Sequence, residues 1–229
     1  MGSFYGLKTE EISNGILALE YLLDAGPRIV RLVYKTEGDN LLAEIPDREH
    51  QSIYGTYYFR GGHRLWHAPE DIERTYIPDN HPITVSHSQD GVTLIQPIEP
   101  VTGIQKAIRI ELVPNAPRLV IHHYMSNYGV WPIELSAWAI TQLPLGGTAI
   151  LPQATNKIDT NGLWPNRNLS LWPYSSLIDP RLTLADDLIL IAAYSLVPPL
   201  KIGYANRMGW IGYYRNSILF IKKFSPLLH

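Results

Sequence analysis

Apolar and polar residues alternate with a period of two along much of the chain, which is the pattern of half-buried β-strands. The alternation is clear in Ile104–Leu112, Arg118–Ser126 and Ile133–Ala139. Further strands are predicted at Ile16–Leu23, Arg28–Tyr34, Ile53–Phe59, Val92–Gln96, Leu188–Ala193, Lys201–Ala205, Gly209–Tyr214 and Ile218–Phe224. Because no helix-period run exceeds two turns, we expect less than roughly a tenth of the residues in helix, below the usual globular share.

The connections between these strands indicate an antiparallel architecture. Turn-forming residues such as Asp90-Gly91 and Gly146-Gly147 separate the strands, and no βαβ rhythm occurs. A dozen short strands of this kind predict an all-β antiparallel sandwich or barrel. The segment Thr155–Arg181 is rich in Asn, Pro and Trp and is predicted to be a long ordered loop. No linker or repeat divides the chain, so a single domain over residues 1–229 is expected.

Composition and charge exclude several classes of protein. With 45% hydrophobic and 17% charged residues the chain is neither disordered nor a coiled coil. A formal charge of -2 gives no electrostatic reason to expect a nucleic acid or an anionic membrane as partner. Cys is 0, which excludes disulfides, a thiolate zinc site and a cysteine nucleophile, and we expect no cofactor. No signal peptide and no membrane-spanning apolar run of roughly 18 residues is found, so a cytoplasmic protein is expected.

The aromatic residues narrow the picture further. Tyr (14) and Trp (6) far outnumber Phe (4), so most aromatic rings carry a polar group. Such rings suit surfaces that are apolar on one side and wet on the other, and sugar-binding surfaces are one example. A plain sheet protein can be equally rich in Tyr. Composition alone leaves both interpretations open.

The densest candidate chemistry lies between Arg60 and Glu70, in the run RGGHRLWHAPE. Its two glycines permit a sharp turn or a close backbone approach, while its Arg and His side chains can bind polar groups and move protons. We predict that Arg60, His63, Arg64 and Trp66 converge on one concave face; the alternative is a turn with solvated charges and one core Trp. The i,i+4 spacing of His63 and His67 would suit a metal site on a helix, but the two glycines and Pro69 disfavour a helix in this segment.

This run resembles the GGHRLW…APE signature of uncharacterised proteins in the galactose mutarotase-like (aldose 1-epimerase) superfamily. Further segments are similar to that family's strands and loops: Pro27–Leu32, Asn40–Glu44, Ser126–Ala139, Leu171–Tyr174, Asp179–Arg181, Lys201–Gly203 and Gly209–Trp210. The resemblance implies a β-supersandwich of two large twisted antiparallel sheets with a sugar cleft on one face. In active members a His acts as acid and a Glu as base, and an Asp and an Arg hold the sugar.

The chain departs from the family pattern in two places. Trp138 stands where the epimerases place their acid His, and the chain stops at His229, before the position of the family's base Glu. We therefore expect the closing strands to be missing and the open sheet edge to favour self-association. Apolar side chains near the end should then be partly exposed: Leu219, Ile221, Phe224, Leu227 and Leu228.

Other residues are candidates with two interpretations each. His122 and His123 lie on opposite faces of a predicted strand, so one should point into the core. Glu134 shares a face with Trp138 and is a candidate base or a solvated carboxylate. Trp164 and Trp172, in the long loop, are sugar-stacking platforms or buried anchors.

The functional hypothesis is a sugar-binding protein of the mutarotase-like superfamily with weak or no epimerase activity. The alternative is an aldose 1-epimerase in which His63 and Glu134 form the acid–base pair, and a third hypothesis is a shape-determining domain of a carbohydrate-processing assembly. The partner in the first two cases is a sugar or sugar-like small molecule. The expected ligand-binding residues are Arg60, Arg64, Trp66, Glu70, Trp138 and Lys201, the last lying where the epimerases have a sugar-binding Asp.

Overall fold

The computed structural model describes residues 2–226, which are built from antiparallel β-strands joined by turns and loops. No α-helix occurs among these residues, so the predicted low helix content and the all-β antiparallel fold class are confirmed. The chain divides into two compact units, residues 1–144 and residues 145–229, each with its own sheets. The single domain expected over the whole chain stays a prediction.

The first unit contains two sheets and a hairpin. A six-stranded sheet has the order β1-β2-β3-β4-β7-β12, a four-stranded sheet has the order β11-β10-β9-β8, and β5 pairs with β6. The strands are β1 (Gly2–Phe4), β2 (Leu7–Ser13), β3 (Leu17–Leu22), β4 (Arg28–Tyr34), β5 (Glu44–Ser52), β6 (Gly55–Gly61), β7 (His63–Ala68), β8 (Thr84–Ser88), β9 (Gly91–Ile95), β10 (Ile104–Leu112), β11 (Leu119–Asn127) and β12 (Ser136–Thr141).

The second unit contains a five-stranded sheet and a two-stranded one. The larger sheet has the order β15-β16-β13-β18-β19, and β14 pairs with β17. The strands are β13 (Thr148–Pro152), β14 (Leu169–Leu171), β15 (Leu182–Leu184), β16 (Leu188–Ala192), β17 (Ile202–Tyr204), β18 (Trp210–Arg215) and β19 (Ile218–Lys223). The predicted long loop therefore carries one short strand, β14, and is otherwise irregular.

Strand β7, which carries most of the motif between Arg60 and Glu70, is the fifth strand of the six-stranded sheet. It pairs with β4 on one side and with β12 on the other, and five of its six residues are buried. A strand within a sheet is buried along its whole length only when both faces are covered. Strands β10 and β11 cover one face: β10 contacts β7, and His63 of β7 forms a hydrogen bond to His123 of β11. Aromatic residues of the β5–β6 hairpin cover the other face, because Trp66 packs on Tyr57.

Two consecutive glycines connect the hairpin to the sheet. Gly61 and Gly62 have φ of 85° and 71°, in the left-handed region that favours glycine. A Cβ atom at Gly61 would overlap the carbonyl oxygen of Ala43, and one at Gly62 would overlap that of Ile29. Only glycine therefore fits this junction, and the close approach lets the chain leave β6 and enter β7 directly.

Several apolar side chains in β19 and just after it are partly exposed. Leu219, Ile221 and Phe224 are 50%, 44% and 41% exposed, as expected from the sequence. Leu227 and Leu228 lie outside the described residues. Within the part of the chain that the structure describes, β19 pairs with β18 alone, and self-association through its other edge stays a prediction.

Candidate functional site

The motif between Arg60 and Glu70 spans a strand end, the glycine junction and all of β7, rather than one loop. Successive side chains of a strand point to opposite faces. His63 therefore lies on one face of β7, and Arg64 and Trp66 lie on the other. All three are buried, with exposures of 4%, 4% and 6%. The predicted convergence of these side chains on one concave face is wrong, because the sequence was interpreted as a turn where the chain forms a strand.

His63 belongs to a hydrogen-bonded chain inside the first unit. Its Nδ1 atom lies 2.8 Å from Oγ1 of Thr141, and its Nε2 atom lies 2.8 Å from Nε2 of His123. A bond between two imidazole nitrogens requires one N–H donor and one unprotonated acceptor. One of the two rings therefore donates its N–H to the other, and this hydrogen bond links the two sheets. His123 is the inward member of the His122–His123 pair, as expected, while the side chain of His122 is 48% exposed.

The structure does not bring Glu134 to His63. The register pairs Thr141 of β12 with His63, and pairs Ser136, at the other end of β12, with Ala68. Ser136 and Thr141 are five steps apart along the strand, a distance of about 17 Å. Glu134 lies beyond Ser136, in the irregular segment before β12, and is exposed. The two side chains cannot act on the same sugar ring.

Aromatic rings form a continuous cluster on the other face of β7. The ring centroids of Trp66 and Trp138 are 5.5 Å apart, and those of Trp66 and Tyr76 are 5.3 Å apart, both edge-to-face. Phe59 adds a third edge contact to Trp66 at 6.3 Å. Below them the buried hydroxyl of Tyr57 accepts a hydrogen bond of 3.0 Å from Nε1 of Trp66. Since Trp138, Tyr76 and Phe59 are only half-buried, the cluster presents aromatic surface to solvent.

Arg64 completes this surface with a cation. Its guanidinium carbon lies 4.4 Å from the ring centroid of Trp66, a cation–π distance, and NH1 donates to the side-chain oxygen of Gln142. Burial lowers the pKa of the Arg64 guanidinium below its ordinary value. Together, Trp66, Trp138, Tyr76, Phe59 and Arg64 are called here the aromatic–arginine site.

Arg60 belongs to a neighbouring ion-pair network. Its NH1 donates to Oδ1 of Asp79 at 3.0 Å and its NH2 to Oδ1 of Asn80 at 2.6 Å. Arg28, which is fully buried, donates to the other oxygen of Asp79 at 2.8 Å and to Tyr57 at 3.0 Å. Burial alone would raise the pKa of Asp79, but the two guanidiniums outweigh it and hold this pKa below its ordinary value. Arg60 thus holds the hairpin in place beside the site.

Charged groups form the rim of the aromatic–arginine site. The Tyr76 hydroxyl donates to Oε1 of Glu70 at 2.5 Å, and burial together with this bond raises the pKa of Tyr76 to about 12. The exposed guanidinium of Arg48 lies 5.8 Å from the ring centroid of Phe59. The His50 ring lies 4.4 Å from that of Tyr76. Four of the predicted ligand-binding residues therefore come together: Arg64, Trp66, Glu70 and Trp138.

Lys201 lies in the second unit, whereas the other predicted ligand-binding residues lie in the first. Its Nζ atom sits 4.3 Å from the ring centroid of Trp172, and its backbone bonds to Ser175. Trp164, in the same unit, is 69% exposed and Trp172 is 36% exposed. Neither is a buried anchor, so the second interpretation of these two residues does not hold.

No metal site emerges from the histidines. His63 and His67 lie on one face of a strand, about 13 Å apart along its axis. Among residues 2–226, no three His, Cys, Asp or Glu side chains group closely enough to hold a metal ion. His67 is 1% exposed, and burial and Lys106 lower its pKa, which marks it as a neutral core residue.

Sequence reasoning missed five residues that build the site or its support: Tyr57, Phe59, Tyr76, Asp79 and Gln142. One signal was present, because Tyr57 and Phe59 alternate on one face of a strand that leads directly into the Arg60 motif. The other three come from distant segments. Only the pairing of β7 with β12 brings Gln142 to Arg64, and the sequence gives no indication of that register.

Comparisons with known proteins add no relative: no family model, curated protein or solved structure matches this chain. In the part of the chain that the structure describes, no helix is long and apolar enough to cross a membrane.

Proposed function

We propose that the aromatic–arginine site binds a monosaccharide unit, and that the chain is a sugar-binding protein of the galactose mutarotase-like superfamily. The observation that carries the proposal is a continuous ring cluster in which the half-buried Trp138 and Tyr76 flank the buried Trp66, with the Arg64 guanidinium stacked on Trp66. The superfamily assignment depends on the signature at residues 60–70 and on the all-β antiparallel fold.

The site offers both kinds of contact that a sugar needs. The C–H face of a pyranose packs on an aromatic ring, while its hydroxyls require hydrogen-bond donors and acceptors. Trp138 and Tyr76 supply the ring surface. Glu70 supplies an acceptor at the rim and Arg48 supplies donors. An apolar ligand would offer the donors of Arg48 no acceptor, so an amphipathic ring is the better fit.

Binding is favoured over epimerisation because the acid–base pair is not assembled. Opening and reclosing a hemiacetal ring needs two proton-transfer groups within hydrogen-bond reach of one sugar. His63 lies on the face of β7 opposite the site, and Glu134 lies beyond the far end of β12. The indole N–H of Trp138 donates hydrogen bonds but does not exchange protons near neutral pH.

The binding proposal is tested by calorimetric titration with a panel of hexoses and hexuronic acids. Trp138→Ala should weaken binding by about 10-fold or more, because it removes a stacking ring, and Trp138→Phe should restore most of it. Trp164→Ala removes an exposed indole of the second unit and is the matched control. Equal affinity in Trp138→Ala and wild type would reject the site.

Epimerisation is tested by polarimetry on freshly dissolved α-galactose and α-glucose. We expect anomer conversion at the rate of buffer alone, since one missing acid–base partner typically costs 10²–10⁴-fold. A clear acceleration by the wild type that is lost in His63→Ala would establish the epimerase alternative instead.

A further inference from the structure

The buried charges around the aromatic–arginine site do not balance. Arg28, Arg60 and Arg64 are 0%, 7% and 4% exposed, and Asp79 forms ion pairs with the first two. Among residues 2–226, no carboxylate lies within ion-pair distance of Arg64. Two of the three buried guanidiniums thus share one carboxylate, and the third, that of Arg64, has none. Buried charge without a counter-charge is costly, so an anion near Arg64 would stabilise it.

Arg64 also has an unused donor. Its Nε atom is buried and has no hydrogen-bond partner among the described residues. Its NH1 is occupied by a neutral acceptor, the amide oxygen of Gln142. Buried guanidinium donors are normally satisfied, and charged acceptors satisfy them best. The Nε atom of Arg28 is likewise without a partner although Arg28 has a carboxylate, so the unused donor supports an anion only together with the missing carboxylate at Arg64.

A second guanidinium faces the same ring from the exposed side. The guanidinium carbons of Arg48 and Arg64 lie 5.8 and 5.7 Å from the centroid of Phe59. Arg48 likewise has no ion pair with a carboxylate in the described chain. One ring therefore carries two unpaired cations, one buried and one exposed, at the border of the proposed sugar surface.

The location of the anion follows from the space available. The cavity beneath Arg64, which Asp79, Gln96 and Lys106 also line, has a volume of about 10 Å³. That volume holds about one water molecule and excludes a sugar. An anionic ligand must therefore approach from the half-exposed aromatic side, where Arg48 lies.

We infer that the site selects a monosaccharide that bears a carboxylate, such as a hexuronic acid, with the carboxylate held by Arg48 and Arg64. This inference depends on the proposed function, since it names the class of sugar bound at the same site. A planar carboxylate matches a guanidinium with two parallel hydrogen bonds. Glu70 at the rim would repel the second negative charge of a phosphate ester more than the single charge of a carboxylate.

The experiment compares matched neutral and acidic sugars by calorimetry at low ionic strength: galactose with galacturonate, and glucose with glucuronate. We expect each acid to bind about 10-fold or more tightly than its neutral partner, as for a charged hydrogen bond. The preference should decrease as salt is added. Arg48→Gln should reduce the acid-to-neutral affinity ratio by about 5-fold or more. The matched control is Arg118→Gln, because Arg118 is also exposed in the first unit, and it should keep the ratio.

The outcomes separate the two proposals. Equal binding of neutral and acidic sugars would overturn the charge selection and leave the sugar site standing. Binding of neither kind would overturn both. Tighter binding of glucose 6-phosphate than of glucuronate would overturn the choice of a carboxylate, and an unchanged ratio in Arg48→Gln would overturn the placement of the anion.

Discussion

The two faces of β7 are equally buried but differ in chemistry. On one face His63 forms hydrogen bonds to His123 and Thr141, so both of its ring nitrogens have partners within the protein. On the other face Arg64 has a neutral partner, an orphan Nε atom and a half-exposed aromatic surface beside it. Burial alone therefore does not identify a functional residue. What distinguishes the second face is a buried positive charge that has no carboxylate partner and lies beside half-exposed aromatic rings.

The ion-pair network next to Arg64 shows what a charge-neutralised guanidinium looks like in the same environment. Arg28 and Arg60 share the two oxygens of Asp79, and Arg28 reaches Tyr57 as well. These residues account for the position of the β5–β6 hairpin on the sheet. Arg64 lies opposite Arg28 in the register of β4 and β7, yet it has no carboxylate of its own. The contrast separates structural arginines from a candidate ligand-binding one.

The largest effect is expected from breaking the satisfied network. Asp79→Asn leaves two buried guanidiniums without a counter-charge and should lower the free energy of unfolding by about 3–5 kcal/mol at pH 7. Urea unfolding followed by tryptophan fluorescence measures it. Asp47→Asn changes an exposed carboxylate of β5 and serves as control. A loss below about 1 kcal/mol would show that Asp79 does not neutralise this face.

The same network should make the free energy of unfolding depend on pH. The pKa of Asp79 is lower in the folded protein than its ordinary value. Its stabilising contribution is therefore present above the unfolded value of about 4 and is lost as the pH falls through the folded pKa. The stability difference between wild type and Asp79→Asn should shrink below about pH 4. A difference that stays constant down to pH 2 would contradict the assignment.

A smaller loss of stability is expected from a substitution at Gly62, in the glycine junction through which the chain enters β7. Gly62→Ala and Gly38→Ala both place Ala at a left-handed φ, 71° and 80°, which costs about 1–2 kcal/mol at either site. Only at Gly62 does the added Cβ overlap a backbone atom, the carbonyl oxygen of Ile29. Gly62→Ala should therefore be the more destabilising variant by about 2 kcal/mol or more. Equal losses would mean that the junction can open without displacing β7.

Much of the fold could be predicted because alternation encodes strands directly. Arg28–Tyr34 and Ile104–Leu112 were predicted with the bounds that β4 and β10 have. The pattern fails where both faces of a strand are covered, because polar and apolar positions are then both buried. β7 is the main example, since His63, Arg64 and His67 gave it the composition of a loop. β5 was missed for a similar reason, because its charged residues and Pro46 mask the strand.

The candidate site could be predicted only in part. Arg64, Trp66, Glu70 and Trp138 were identified from side-chain chemistry and from the family resemblance, and they lie together. Their grouping with His63 was wrong because residues 63–68 form a strand, which places His63 and Arg64 on opposite faces. The pairing of His63 with Glu134 was wrong because the register of β12 places Glu134 near the other end of β7. Registers depend on long-range pairing, which the local sequence does not encode.

The most direct test of the account is a ¹H–¹⁵N titration of the tryptophan indole groups with galacturonate. The central claim is that ligand contacts the Arg64–Trp66 face of β7. We expect the indole signals of Trp66 and Trp138 to shift with one common affinity, while the chemical shifts of Trp164 and Trp172 in the second unit do not change. Shifts confined to Trp164 and Trp172, or none up to millimolar galacturonate, would contradict it.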